Sequence, residues 1–141
     1  MEKTLVFHSD GGARGNPGPG ACAFVVEQNG KVIAKGSKKL GEVTNNLAEY
    51  SGVILALEWL TKNITLSPRG LPITFYMDSE LVVRQLMGKY KVKDVKLKKM
   101  YEEINKVRAE LPVTINFESV SREKNKLADF LVNKELDSGS P

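Results

Sequence analysis

A strand-like apolar run that stops on a carboxylate and passes straight into glycine and proline is the strongest constraint in this chain. The run is Thr4-Leu-Val-Phe-His-Ser9, it ends on Asp10, and Gly11-Gly-Ala-Arg-Gly-Asn-Pro-Gly-Pro-Gly20 follows directly. Aromatic and β-branched residues in an unbroken stretch predict a buried strand. The glycine and proline cluster predicts a tight turn. A carboxylate at the end of a buried strand is costly unless something compensates it, and glycines let backbone approach a ligand closely. The pattern therefore fits a metal or phosphate site. It equally fits a hairpin turn in which Asp10 bonds its own backbone.

The rest of the chain fills in the topology. Asn29-Gly30 between two apolar runs is a two-residue hairpin signal. It joins strands predicted at about 21–28 and 31–39. A helix follows at about 46–62, then a strand at 73–77 and a short helix at 79–87. A further helix is predicted at about 95–110, a strand at 113–120 and a last helix at 124–136. An antiparallel start followed by helix–strand alternation implies an α/β fold with a mixed sheet. Ligands of such sheets gather beyond the carboxyl ends of the parallel strands. We expect a single domain over residues 1–137 with a flexible tail at 138–141.

With 141 residues, 41% hydrophobic and 27% charged, the chain is long enough for a real core without staples. The lone cysteine, Cys22, sits inside an apolar run, which excludes a disulfide framework or a cysteine zinc site within one chain. No signal peptide and no run of membrane-spanning length is present, so a cytoplasmic monomer without membrane contact is expected. The net charge of +4 is concentrated: Gly88 to Arg108 carries eight basic and three acidic residues, interleaved with Tyr90 and Tyr101. Such a segment suits a polyanion, and it also suits a solvated helix face.

Four acids occupy special places. Asp10 and Asp78 each end a predicted strand, and the helix between those strands implies parallel neighbours. Glu49 shares a helix face with Val53, Ala56 and Leu60, so it heads a core-facing stripe. A capping box with Asn46 at the cap and Glu49 three residues on is the local alternative. Asp129 falls on the polar side of the last helix with Asn125, Lys126 and Asn133, opposite Leu127, Ala128 and Leu131. Each position has an ordinary explanation alone. Clustered together, the four would repel and raise one another's pKa unless cations intervened. Oxygen donors without His or Cys partners select Mg²⁺ or Mn²⁺. Two such ions, about 3.5–4 Å apart, suit phosphodiester hydrolysis.

At these residues the sequence resembles the type 1 ribonuclease H family. The matching pieces are Ser9-Asp10-Gly-Gly-Ala-Arg-Gly-Asn-Pro-Gly-Pro-Gly20, Thr44-Asn-Asn-Leu-Ala-Glu49-Tyr50, Met77-Asp78-Ser79 and Val120-Ser-Arg-Glu-Lys-Asn-Lys-Leu-Ala-Asp129. They occur in the family's order and span nearly the whole chain. The resemblance implies a five-stranded mixed sheet flanked by helices. It implies hydrolysis of the RNA strand of RNA–DNA hybrids with two divalent metals, with Asp10, Glu49, Asp78 and Asp129 as the catalytic carboxylates. By the same matching, Asn16 and Asn45 touch the minor groove, Thr44 lies near the pocket that grips a DNA phosphate, and Gly11 brings backbone to the scissile strand. Double-stranded RNA is a possible second substrate.

Three departures accompany the resemblance. Many relatives carry a histidine in a loop before the last helix; here that loop is Ser121-Arg-Glu-Lys-Asn125. The only histidine is His8, and Arg122 is the candidate for a phosphate-contacting or product-releasing role. Trp59, the only tryptophan, lies in the first helix rather than in a basic protrusion. Glu80 stands where an amide often touches substrate. A non-cleaving binder of hybrid or double-stranded RNA is the main alternative. An ATP site is disfavoured by the missing Gly-x-x-x-x-Gly-Lys pattern, and triad chemistry by the missing nucleophile elbow.

Overall fold

The structure, a computed structural model, describes residues 4–138. Its elements are β1 (Leu5–Ala13), β2 (Gly18–Gln28), β3 (Lys31–Val43), α1 (Asn45–Lys62), β4 (Ile73–Met77), α2 (Glu80–Leu86), α3 (Val95–Glu110), β5 (Ile115–Ser119) and α4 (Lys126–Asp137). Short 3-10 turns at Ile64–Leu66 and Arg122–Asn125 complete the path. The expected tail, beyond Ser138, lies outside the described residues.

The sheet has five strands in the order β3-β2-β1-β4-β5. β1 pairs antiparallel with β2 and parallel with β4, so the expected mixed sheet forms with Asp10 and Asp78 at the carboxyl ends of parallel neighbours. Asn29 and Gly30 both take positive φ, 55° and 77°, as a two-residue primed hairpin turn requires.

The two faces of the sheet differ. On one, α1 and α3 cover a large apolar cluster in which Phe7 stacks on Phe75 at 4.5 Å between ring centres, and Phe117 meets Phe75 edge-on at 5.4 Å. On the other, α4 lies on the small side chains Ala21, Ala23 and Val25 through Ala128, Leu131 and Val132. Cross-strand pairing of His8 with Val25, Asp10 with Ala23 and Gly12 with Ala21 puts His8 and Asp10 on the α4 face.

Several boundaries differ from the sequence expectation. Gly11, Gly12 and Ala13 continue β1 rather than opening a turn, because their backbone pairs with Cys22, Ala21 and Gly20. The actual turn is Arg14–Pro17, and the Asn16–Pro17 peptide bond is cis. β3 runs four residues past Lys39, with register shifts in the β2–β3 ladder that absorb its length. Thr44, not Asn46, caps α1: its Oγ1 accepts from Leu47 N at 3.2 Å. That removes the capping-box account of Glu49. In α4, Leu127 is exposed at 38% while Asn125 is buried at 1%, the reverse of their expected sides. The cause is the 3-10 turn before α4, which shifts the helix start to Lys126.

Candidate active site

Two glycines bring the first pair of acids together. A Cβ at Gly11 would stand 2.2 Å from the backbone C and O of Ala48 and 2.5 Å from Glu49 N. One at Gly52 would stand 2.7 Å from the carbonyl oxygen of Asp10. Backbone thus lies directly on backbone, and Glu49 is carried to the end of β1. Gly11 N also donates to Asp10 Oδ1 at 2.9 Å, so the local backbone bond foreseen for Asp10 exists alongside the acid cluster. β4 delivers Asp78, and Ser79 just after it caps α2 through Val82 N at 3.3 Å. α4 delivers Asp129 from the opposite face.

All four carboxylates line one cleft of about 430 Å³ with Gly11, Asn45 and Arg122. Asp10 and Glu49 are buried. Burial, followed by the charge of Asp78, pushes Asp10 up to about 8; Asp129 and Glu49 add to the rise and the Gly11 amide opposes it. Burial and then Asp78 push Glu49 up to about 7, against a Ser79 hydrogen bond and the Arg122 charge. Asp78 is raised by burial, with Arg122 opposing and Asp129 adding. These reciprocal effects place the acids within electrostatic reach of one another.

The donor chemistry fits hard divalent ions: clustered carboxylates, and no His or Cys among the residues lining the cleft. Among the described residues, no three acidic, His or Cys side chains are yet drawn into a ligand set as they stand. Arg122 is the cation now nearest, with Nε 3.9 Å from Asp78 Oδ2 and its side chain 83% exposed.

The other expected contacts divide between two clefts. Asn16 and Thr44 line an adjoining, larger cleft of about 760 Å³ with Lys96 at the start of α3, and Asn45 borders both. Asn45 Oδ1 accepts from Ala13 N at 2.9 Å, and Asn16 Oδ1 accepts from Asn45 N at 3.0 Å. With the carbonyl ends so committed, each asparagine offers its NH₂ group. Those donors match the acceptor-rich minor groove.

Sequence reasoning missed Ser79 as a partner of Glu49, and it placed Asn133 and Asn125 beside Asp129 without foreseeing their bonds: Asn133 Nδ2 donates to the Asp129 carbonyl at 3.0 Å and Asn125 Nδ2 to the Ser9 carbonyl. Asn133 was visible as a polar residue one turn beyond Asp129. Nothing local marks Asn125 as buried.

The profile of the reverse transcriptase-like family matches residues 8–135. The bifunctional protein Rv2228c of Mycobacterium tuberculosis is 37% identical over 138 residues, 96% of this chain but only 36% of that protein. The chain thus spans about a third of the curated relative's length. Among solved structures, LC11-RNase H1 in complex with RNA/DNA hybrid is 39% identical, with a TM-score of 0.88 over 95% of this chain and 97% of that one. RNase H1 from Halobacterium salinarum is 32% identical, with a TM-score of 0.86 over 96% and 99%. On this full-length agreement, the chain belongs to the reverse transcriptase-like family, among its type 1 ribonuclease H members.

Proposed function

We propose that the chain is an endonuclease that hydrolyses the RNA strand of RNA–DNA hybrids and leaves 5′-phosphate and 3′-hydroxyl ends. Asp10, Glu49, Asp78 and Asp129 would hold two Mg²⁺ ions, with Mn²⁺ as a substitute. The observation that carries the reading is the convergence of four acids from four elements on one cleft, two of them raised to about 8 and about 7. A module that only bound a polyanion would gain nothing from facing it with these groups. When bound, the ions supply an activated water and neutralise charge developing on the leaving oxygen.

The chain's own residues do the rest. The NH₂ groups of Asn16 and Asn45 donate to the minor groove, and Glu49 accepts from a 2′-OH, the mark that separates RNA from DNA. Gly11 lets backbone reach the scissile strand, and Thr44 with Lys96 faces a phosphate of the other strand. Arg122, held loosely over Asp78, is free to turn to a phosphate. The Lys89–Arg108 segment supplies a salt-sensitive backbone attraction. The buried thiol of Cys22 suits the reducing cytoplasm.

The test is cleavage of end-labelled hybrid in Mg²⁺ or EDTA by the wild type and Asp10→Asn, with double-stranded RNA in parallel. Asp10→Asn should fold normally and lose on the order of a thousandfold in rate. Full cleavage by that variant would sink the assignment.

A further inference from the structure

Each helix of the fold begins at a residue able to cap it. Thr44 caps α1, Ser79 caps α2 and Asp94 caps α3, each accepting from the backbone N–H three residues on. α4 is the exception. Asn125 stands at its N-cap, yet its side chain makes no capping bond. Thr44, Ser79 and Asp94 have extended backbone, as a side-chain cap requires, whereas the 3-10 turn at 122–125 leads directly into α4 and holds Asn125 at φ −121° and ψ 26°. The side chain is spent elsewhere: Nδ2 donates to the Ser9 carbonyl at 2.9 Å, and Oδ1 pairs with His8 Nδ1 at 3.2 Å. Asn125 is 1% exposed, so its bond to Ser9 lies away from water, where such a bond is strongest; the bond to His8 is part-buried.

The two ends of this tie are specific. Ser9 immediately precedes Asp10. Asn125 is four residues before Asp129, on the same side of the helix start. The bond therefore joins the residue behind one carboxylate to the helix turn that holds another, across 116 residues of chain. His8, which also packs on the Tyr76 ring at 5.4 Å between centres, holds the amide in the orientation that aims Nδ2 at Ser9. His8 Nδ1 meets an acceptor, so the ring carries its proton on that nitrogen.

We infer that Asn125 is a positioning residue: its buried bond to the Ser9 carbonyl fixes the distance between Asp129 and Asp10, and through it the affinity of the site for divalent cations. The inference rests on the proposed metal-dependent activity, but its primary readout does not use cleavage. Residues behind metal ligands commonly set affinity or activity by 10–100-fold.

The experiment compares the wild type with Asn125→Ala and Asn125→Ser. Serine keeps a small polar side chain but is too short to bridge to Ser9. Mn²⁺ affinity is measured by calorimetry and stability by thermal melting, at a temperature where all three are folded. Both variants should bind Mn²⁺ about tenfold more weakly. On hybrid, both should lose kcat with KM changed little, and should need more Mg²⁺ for half-maximal rate. Mn²⁺ binding by Asn125→Ser at wild-type affinity would overturn the inference and leave Asn125 a structural residue only. A wild type that binds Mn²⁺ but does not cut hybrid would instead overturn the proposed function.

Discussion

Two helices bring carboxylates to the cleft, and they are held by different physics. α1, which carries Glu49, is capped by its own Thr44, lies backbone to backbone on β1 at Gly11 and Gly52, and buries Val53, Ala56, Leu57 and Leu60 in the larger core. α4, which carries Asp129, rests on a few small side chains and lacks a side-chain cap. It is held by polar ties at both ends: Asn125 to β1, and Arg14 to Asp137 with Ser37 to Glu135. Apolar packing and backbone contact leave α1 almost no freedom. α4 relies on hydrogen bonds over a thinner apolar seam. α1 thus places Glu49 through packing, whereas the place of Asp129 depends on the few polar ties of α4, the buried Asn125–Ser9 bond first among them.

The largest effect should come from breaking the α1 contact. Gly11→Ala puts a methyl 2.2 Å from the Ala48 backbone, where nothing flexible can give way. We expect a loss of about 3 kcal/mol or more by urea denaturation. Gly12→Ala is the control on the α4 side: its methyl meets only Val132 Cγ1, at 3.9 Å. That variant should stay within about 1 kcal/mol of the wild type. Equal losses from the two would erase the contrast between the helices.

How much of this was legible beforehand follows the same division. Glu49 could be placed because it shares a helical stripe with Val53, Ala56 and Leu60, all of which are buried. Asp10 and Asp78 could be placed because a helix between two strands forces parallel neighbours, as found. α3 spans the expected residues because its periodicity is local. Gly11 and Gly12 misled, since glycine signals a turn locally and here serves close packing contributed by α1, far along the chain. Asn125 and Leu127 exchanged sides because the 3-10 turn before α4 follows from the tie to β1 rather than from helix period. Where a long-range contact decides the conformation, local pattern gives the wrong side.

An intermediate effect is expected from pH. The carboxyls of Asp10 and Glu49 move from ordinary values of 3.8 and 4.5 to about 8 and about 7 in the fold. Groups raised on folding favour the folded state at pH below their unfolded values, and that contribution is lost as pH climbs through the folded values. In EDTA the thermal midpoint should therefore fall from about pH 5 to about pH 8 by several degrees. Mg²⁺ should recover most of the loss at the upper end, because a cation stabilises the ionised acids. Asp10→Asn should flatten the EDTA profile. A profile that stays steep in that variant would shift the main source of the pH dependence from Asp10 to Glu49, which burial and the charge of Asp78 also raise.

The smallest effect should come from the far end of α4. Arg14 Nη1 lies 2.6 Å from Asp137 Oδ1, but the two side chains are 50% and 67% exposed. Water and salt screen such a pair, and it is worth less than about 1 kcal/mol. Asp137→Asn should therefore unfold at nearly the wild-type urea concentration and bind Mn²⁺ unchanged. The position makes the result informative despite its size, because Arg14 lines the carboxylate cleft and Asp137 closes the same helix that begins beside Asn125. A helix positioned at its start transmits little from its last turn. Were Asp137→Asn to weaken Mn²⁺ binding as Asn125→Ser is expected to, α4 would be registered along its whole length. Asp129 would then owe its place to the exposed ion pair as much as to the buried amide.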